Sequence, residues 1–164
     1  LIKKKYKKKL SIVPKSQHIS LHNTPLSDTQ SFIIKKLKLQ KKKYLNVVQL
    51  FVRTPFKNHE DIDTAINIFD IFKLDRLISV VKSNNQFFKH NGNSLVPIQK
   101  DSKFLKLERE ELYKQIQAIE IINFKKIKKK LKDVRVGHSL LSNKASHEIH
   151  SQIDFDLAEV LSRK

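Results

Sequence analysis

Residues 44–81 read YLNVVQLFVRTPFKNHEDIDTAINIFDIFKLDRLISVV. Tyr44 to Val52 is rich in β-branched and aromatic side chains, which suit a pleated, half-buried surface, and predicts a strand. Arg53-Thr54-Pro55 closes it. Asn58 is placed to cap a helix, because its short side-chain oxygen accepts an orphaned amide of the first turn. Glu60 and Asp61 then sit where negative charge complements the helix dipole. Ile62, Ala65, Ile66, Phe69 and Phe72 recur every three or four residues, the spacing of one buried helical face. Leu74 to Val81, with Leu77, Ile78, Val80 and Val81, predicts the next strand.

Towards the N-terminus, Leu10 to Val13 has strand character and Pro14 ends it. Lys15 to Pro25 is polar and reads as a loop. Ser27 or Asp28 caps a helix that carries Phe32, Ile33, Ile34 and Leu37 on one stripe and Lys35, Lys36 and Lys38 opposite. The first half therefore reads β-α-β-α-β. Beyond it, Asn91-Gly92 between Phe87-Phe88 and Leu95-Val96 is a hairpin-turn signal. Ser102 opens a long helical pattern to about Asp133, with the stripe Leu105, Leu112, Ile116, Ile119, Ile127 and Leu131. Residues 134–146 read as a basic linker broken at Gly137. Residues 147–162 read as a last helix with Ile149, Ile153, Leu157 and Leu161 on one face.

The expected fold class is α+β, with a small ferredoxin-like core of three antiparallel strands and two helices and a mainly helical C-terminal extension. The expected division is a basic arm at 1–8, the core at 9–81, a hairpin or loop at 82–100 and a helical extension at 101–164. Ile12, Phe32, Ile33, Leu37, Val48, Leu50, Ile66, Phe69 and Ile78 are the expected core. The apolar stripe of the long helix is expected to pack on a neighbouring protein or RNA.

Thirty-four Lys and Arg against sixteen Asp and Glu give a net charge of +18 on 164 residues. Repulsion on that scale opposes compaction and favours a polyanionic partner. The charge is polarised. Residues 1–43 hold thirteen lysines against Asp28 alone, residues 44–81 are near neutral, and a second basic run spans Lys125 to Lys132. Cysteine is absent, which excludes disulfides, thiol catalysis and cysteine-ligated metal. Two glycines, Gly92 and Gly137, are too few for a glycine-rich phosphate loop. A mean hydropathy of −0.46 and the lack of a long apolar run exclude a membrane span. His147, Glu148 and His150 hint at a metal motif, but HEIH lacks the one-turn spacing of HExxH and no third ligand is evident, so these side chains are expected to face solvent or RNA. Asp154 and Asp156 are expected on a solvated helix surface, and no nucleophile–base pair stands out. No catalytic residue, metal or cofactor is expected.

The order of elements resembles the ribosomal protein L-thirty family of the large subunit. The carriers are Leu10-Ser11-Ile12-Val13-Pro14-Lys15-Ser16, then Ile33-Ile34-Lys35-Lys36-Leu37-Lys38-Leu39 running into Lys41-Lys42-Lys43, then Val47-Val48 through Thr54-Pro55. The resemblance covers about residues 9–81. Lys38 stands where the family has glycine, and Lys57-Asn58-His59 replaces its Arg-Gly. The resemblance implies a structural, non-enzymatic ribosomal protein of mitochondrial type, located in the matrix, with the cytoplasmic ribosome of an AT-rich organism as alternative. It implies rRNA and neighbouring ribosomal proteins as partners and no small-molecule substrate. With the charge pattern, it nominates an RNA-facing set: Lys3, Lys4, Lys5, Lys7, Lys8, Lys9, Lys15, Ser16, Lys35, Lys36, Lys41, Lys42, Lys43, Arg53, Lys125, Lys126 and Lys129. The alternatives are another ribosomal protein, from the small subunit or specific to an organelle, and a basic RNA-processing enzyme or accessory factor.

Overall fold

The computed structural model describes residues 13–17, 20, 23–36, 46–98, 111–127 and 129–163. The elements, in chain order, are α1 (Leu26–Lys36), β1 (Asn46–Leu50), α2 (His59–Ile71), β2 (Arg76–Ser83), β3 (Phe88–His90), β4 (Leu95–Pro97), β5 (Leu112–Asn123), β6 (Val136–Leu140) and α3 (Gln152–Ser162). The class is α+β, as expected. The ferredoxin-like arrangement is not formed. Four strands make one mixed sheet in the order β1-β5-β2-β6, and β3 and β4 pair as a separate hairpin.

The difference lies in residues 112–123. These are a twelve-residue strand rather than part of a helix. The spacing of Leu112, Ile116 and Ile119 fits a helix, but Ile119, Ile121 and Ile122 add a β-branched run that a pleated sheet buries on both faces. β5 inserts between β1 and β2 and runs antiparallel to both, pairing Val48 with Ile121 and Leu77 with Ile121. β1 and β2 are therefore parallel, with α2 as the crossover between them. β6 adds in parallel to the far side of β2, with Leu77 opposite Gly137. The supposed linker is thus an edge strand. Ile116 and Ile119, expected to face a partner, are 3% and 1% exposed at the centre of the core.

Gly137 has a packing role rather than a breaking one. A Cβ there would lie 2.2 Å from a Leu74 methyl. β2 and β5 also fall out of register between Ile78 and Ser79. The Ser79 hydroxyl spans that bulge, donating to the Ile119 carbonyl at 2.7 Å and accepting from the Ile119 amide at 2.9 Å.

Both faces of the sheet are packed. On one, Ala65 and Phe69 of α2 meet Leu74, Leu77, Ile119, Ile121 and Leu141. On the other, Ile34 of α1 meets Ile122 and Ile127, with Val47 and Phe124 beside them. Of the expected core, Phe69 is buried, whereas Val48 and Leu50 on the edge strand are 40% and 47% exposed. Phe32, Ile33, Ile66 and Ile78 are half-buried, and Ile12 and Leu37 lie outside the described residues. The first predicted strand also falls largely outside them, and Val13 is not in a strand. Asn58 caps α2 as its sequence predicts, with Asp61 reciprocating on the Asn58 amide.

Candidate functional site at the carboxyl edge of the sheet

Because β1, β2 and β6 run the same way, their carboxyl ends share one edge. Loops there are where open α/β sheets hold ligands. Two loops meet at it. The first joins β1 to α2 and carries Arg53, Thr54 and Lys57. The second joins β6 to α3 and carries Lys144, His147, Glu148 and His150.

The first loop is pinned from inside. The Thr54 hydroxyl, fully buried, lies 3.2 Å from the carbonyls of both Phe51 and Gln117. The Lys57 ammonium donates to the Phe51 and Thr54 carbonyls at 2.5 and 2.6 Å. Burial holds the Lys57 pKa below the ordinary lysine value. The two loops are then tied together. The Ile149 amide donates to the Arg53 carbonyl at 2.9 Å, and the Gln117 amide donates to a Glu148 carboxylate oxygen at 3.0 Å. The Glu148 side chain is only 12% exposed, and its second oxygen lies 3.7 Å from the His150 imidazole. His147 sits 2.9 Å from the Asp154 carbonyl and beside the Phe56 ring, over which the Lys144 ammonium lies at 5.4 Å. Arg53, Lys144 and His150 remain exposed at the rim.

Asp154 is committed to structure. Its carboxylate accepts the His150 and Ser151 amides and the Ser151 hydroxyl while capping α3, and these bonds hold its pKa below the ordinary 3.8. Asp156 accepts from Gln152 on the same helix. Among the described residues no three acidic or histidine side chains converge as a metal-binding group.

Below the rim, on the α1 side of the sheet, lies a cavity of about 210 Å³ walled by Phe51, Gln115, Gln117, Arg76, Glu120 and Leu26. Its floor is charged. Glu120, 4% exposed in the middle of β5, accepts from the Arg76 guanidinium through Nε at 2.7 Å and through Nη2. Gln30 of α1 reaches the same carboxylate at 3.5 Å and also donates to Gln49. Gln117 belongs to both features, lining the cavity and anchoring Glu148 with its backbone amide.

Of the nominated residues that the structure describes, Arg53 is the one carried by these two loops. Lys15 and Ser16 are exposed before α1, where Ser16 accepts from Ser20. Lys35 and Lys36 end α1, and Lys125, Lys126 and Lys129 follow β5, so both groups lie at the opposite, amino edge of the sheet. Lys126 pairs with Asp75 at 3.7 Å. Lys3, Lys4, Lys5, Lys7, Lys8, Lys9, Lys41, Lys42 and Lys43 lie outside the described residues. Glu148, Gln117, Lys57 and the Arg76–Glu120 pair were missed. Glu120 inside an unbroken apolar run was the one signal in the sequence that could have found the cavity.

No protein-family model matches the chain, and no curated protein sequence does. Solved structures do match. The crystal structure of a 4-diphosphocytidyl-2C-methyl-D-erythritol synthase from Anaerococcus prevotii superposes with a TM-score of 0.58 at 14% identity, covering 80% of this chain. This chain spans 65% of that one. At that identity the fold is what is shared. That fold is shared with an enzyme, and it corrects the ribosomal reading: the resemblance to the L-thirty family, the rRNA and ribosomal-protein partners, and the exclusion of enzymatic activity and of a small-molecule substrate. Among the described residues no helix is long and apolar enough to cross a membrane.

Proposed function

We propose that the chain works in nucleotidyl transfer, as an enzyme or as part of one, and that it holds its anionic substrates at the carboxyl edge. The observation that carries this reading is the tying of the β1–α2 loop to the β6–α3 loop there, which brings the exposed Arg53, Lys144 and His150 to the edge where Gln117, a lining residue of the Gln115, Arg76 and Glu120 cavity, anchors Glu148. The fold likeness to a synthase whose named product is a diphosphocytidyl ester supports the class of reaction. In such a transfer an acceptor oxygen bonds to the α-phosphorus of a nucleoside triphosphate, the bond from that phosphorus to the β-phosphate oxygen breaks, and pyrophosphate leaves. The protein's task in that step is to position reactants and stabilise phosphate charge. Arg53 and Lys144 supply cationic contacts to phosphate. Gln115 and Gln117 offer amides to a polyol or sugar-like acceptor, and the Arg76–Glu120 pair keeps the cavity polar.

Calorimetric titration of the full chain with CTP tests the proposal. Binding in the micromolar to low-millimolar range is expected, weakened about tenfold, or ~1.4 kcal/mol, when Arg53→Ala and Lys144→Ala are combined. Absence of binding at millimolar CTP, or equal affinity in the double variant, overturns it.

A further inference from the structure

The opposite edge of the sheet holds a second cleft, of about 310 Å³, between the C-terminus of α2 and the end of β5. Its floor is apolar. Phe69 and Leu74 are 4% and 8% exposed, and Phe124 stands half-buried across from them. Asn46 and Asn123 add amide groups from the facing strands. Exposed Lys73 and Lys125 line its rim.

Two details set this cleft apart from ordinary surface. Lys73 has φ +50° directly after α2, a left-handed conformation that glycine adopts without strain and lysine does not. The turn is fixed by the Lys73 amide on the Asp70 carbonyl at 3.3 Å and the Leu74 amide on the Phe69 carbonyl at 3.1 Å. A lysine is thus held at the mouth where a glycine would be easier to fold. Secondly, neither the Lys73 nor the Lys125 ammonium has an acidic partner within 4 Å among the described residues. Asp70 and Asp75 also line the cleft. Asp75 is engaged by the Arg135 amide at 3.2 Å and by Lys126 at 3.7 Å, which leaves Lys73 and Lys125 against the exposed Asp70 alone.

We propose that this cleft binds a small aromatic anion, with its ring on Phe69, Leu74 and Phe124 and its charged group at Lys73 and Lys125. The volume fits that class, since an apolar cavity of roughly 150 Å³ holds a benzene ring and the remainder admits one phosphate-sized group. The site is independent of the carboxyl edge.

Phenyl phosphate is the probe, titrated into the full chain and followed by NMR, with inorganic phosphate and benzyl alcohol as the charge-only and ring-only controls. Phenyl phosphate is expected to bind at least about tenfold tighter than either control. Lys73→Gly is expected to weaken it about tenfold while leaving the melting temperature unchanged or raised, because glycine relieves the left-handed strain. Lys125→Gln is expected to weaken it similarly, and Phe124→Ala to erase its advantage over inorganic phosphate. Equal binding of phenyl phosphate and inorganic phosphate to the wild-type chain overturns the proposal. So does Lys73→Gly binding as tightly as wild type, or losing stability.

Discussion

Ser79 and Ser139 face each other across parallel strands β2 and β6, and both are essentially inaccessible to solvent, yet their removal should have opposite signs. The Ser79 hydroxyl satisfies both the amide and the carbonyl of Ile119 where the bulge interrupts the ladder. Ser79→Ala leaves two buried backbone groups without partners, each costing about 1–3 kcal/mol. Partial relaxation of the bulge would recover some of this, so a loss of about 2–4 kcal/mol is expected. The Ser139 hydroxyl has no hydrogen-bond partner among the described residues. Ser139→Ala removes a desolvated group that makes no bond, and should be neutral or stabilising by up to about 1 kcal/mol. Urea unfolding of both variants, read by circular dichroism with m-values compared, measures the two differences. The reasoning fails if Ser139→Ala destabilises as much as Ser79→Ala, because Ser139 would then have a partner and the bulge would not need Ser79.

Gly137→Ala should cost about 1–3 kcal/mol, because the new methyl meets the buried Leu74 side chain at 2.2 Å; thermal unfolding reads it, and an unchanged midpoint would show that β6 does not press on that leucine. Arg76→Met should cost about 3–5 kcal/mol by stranding the buried Glu120 carboxylate, and Arg76→Met with Glu120→Leu should recover most of that, a double-mutant cycle by denaturant titration being the check. The folded Asp154 carboxylate has a depressed pKa, so its contribution is present above the ordinary 3.8 and lost as pH falls through the folded value; the stability difference between wild type and Asp154→Ala should shrink on acidification in that window, and a difference constant with pH would contradict the bonding described.

What the sequence made legible was local. The capping of α2 by Asn58, the strand at 46–50 and the Asn91-Gly92 hairpin each depend on side chains within a few positions of one another. What it concealed was long-range. Leu112, Ile116 and Ile119 satisfy a helical period, but β5 is stabilised by strands whose paired residues lie 29 to 77 positions away, and a periodicity count contains no term for that partner. Once 112–123 is taken as helix, Glu120 becomes a surface residue, and the cavity with it disappears from view. His147, Glu148 and His150 were seen and set aside because their mutual spacing fits no metal motif. Their partners are Gln117, which bonds Glu148 from a distant segment of the chain, and Asp154, which His147 and His150 both reach.

The scarcity of glycine bears on how a phosphate would be held at the carboxyl edge. A glycine-rich loop offers converging backbone amides that are rigid and weakly affected by salt. The loop from Phe51 to Asn58 contains no glycine, and its interior is occupied by the Lys57 and Thr54 bonds to its own carbonyls. Phosphate contact therefore falls to side-chain cations at the rim, Arg53 and Lys144, set in a chain of net charge +18. Such contacts are screened over roughly 10 Å at 0.1 M salt. Nucleotide affinity at this edge should consequently fall steeply as salt is raised from about 0.05 to 0.5 M, and the slope should flatten when Arg53 and Lys144 are both replaced by alanine. A salt-independent affinity would mean that backbone amides, and not these two side chains, hold the phosphate.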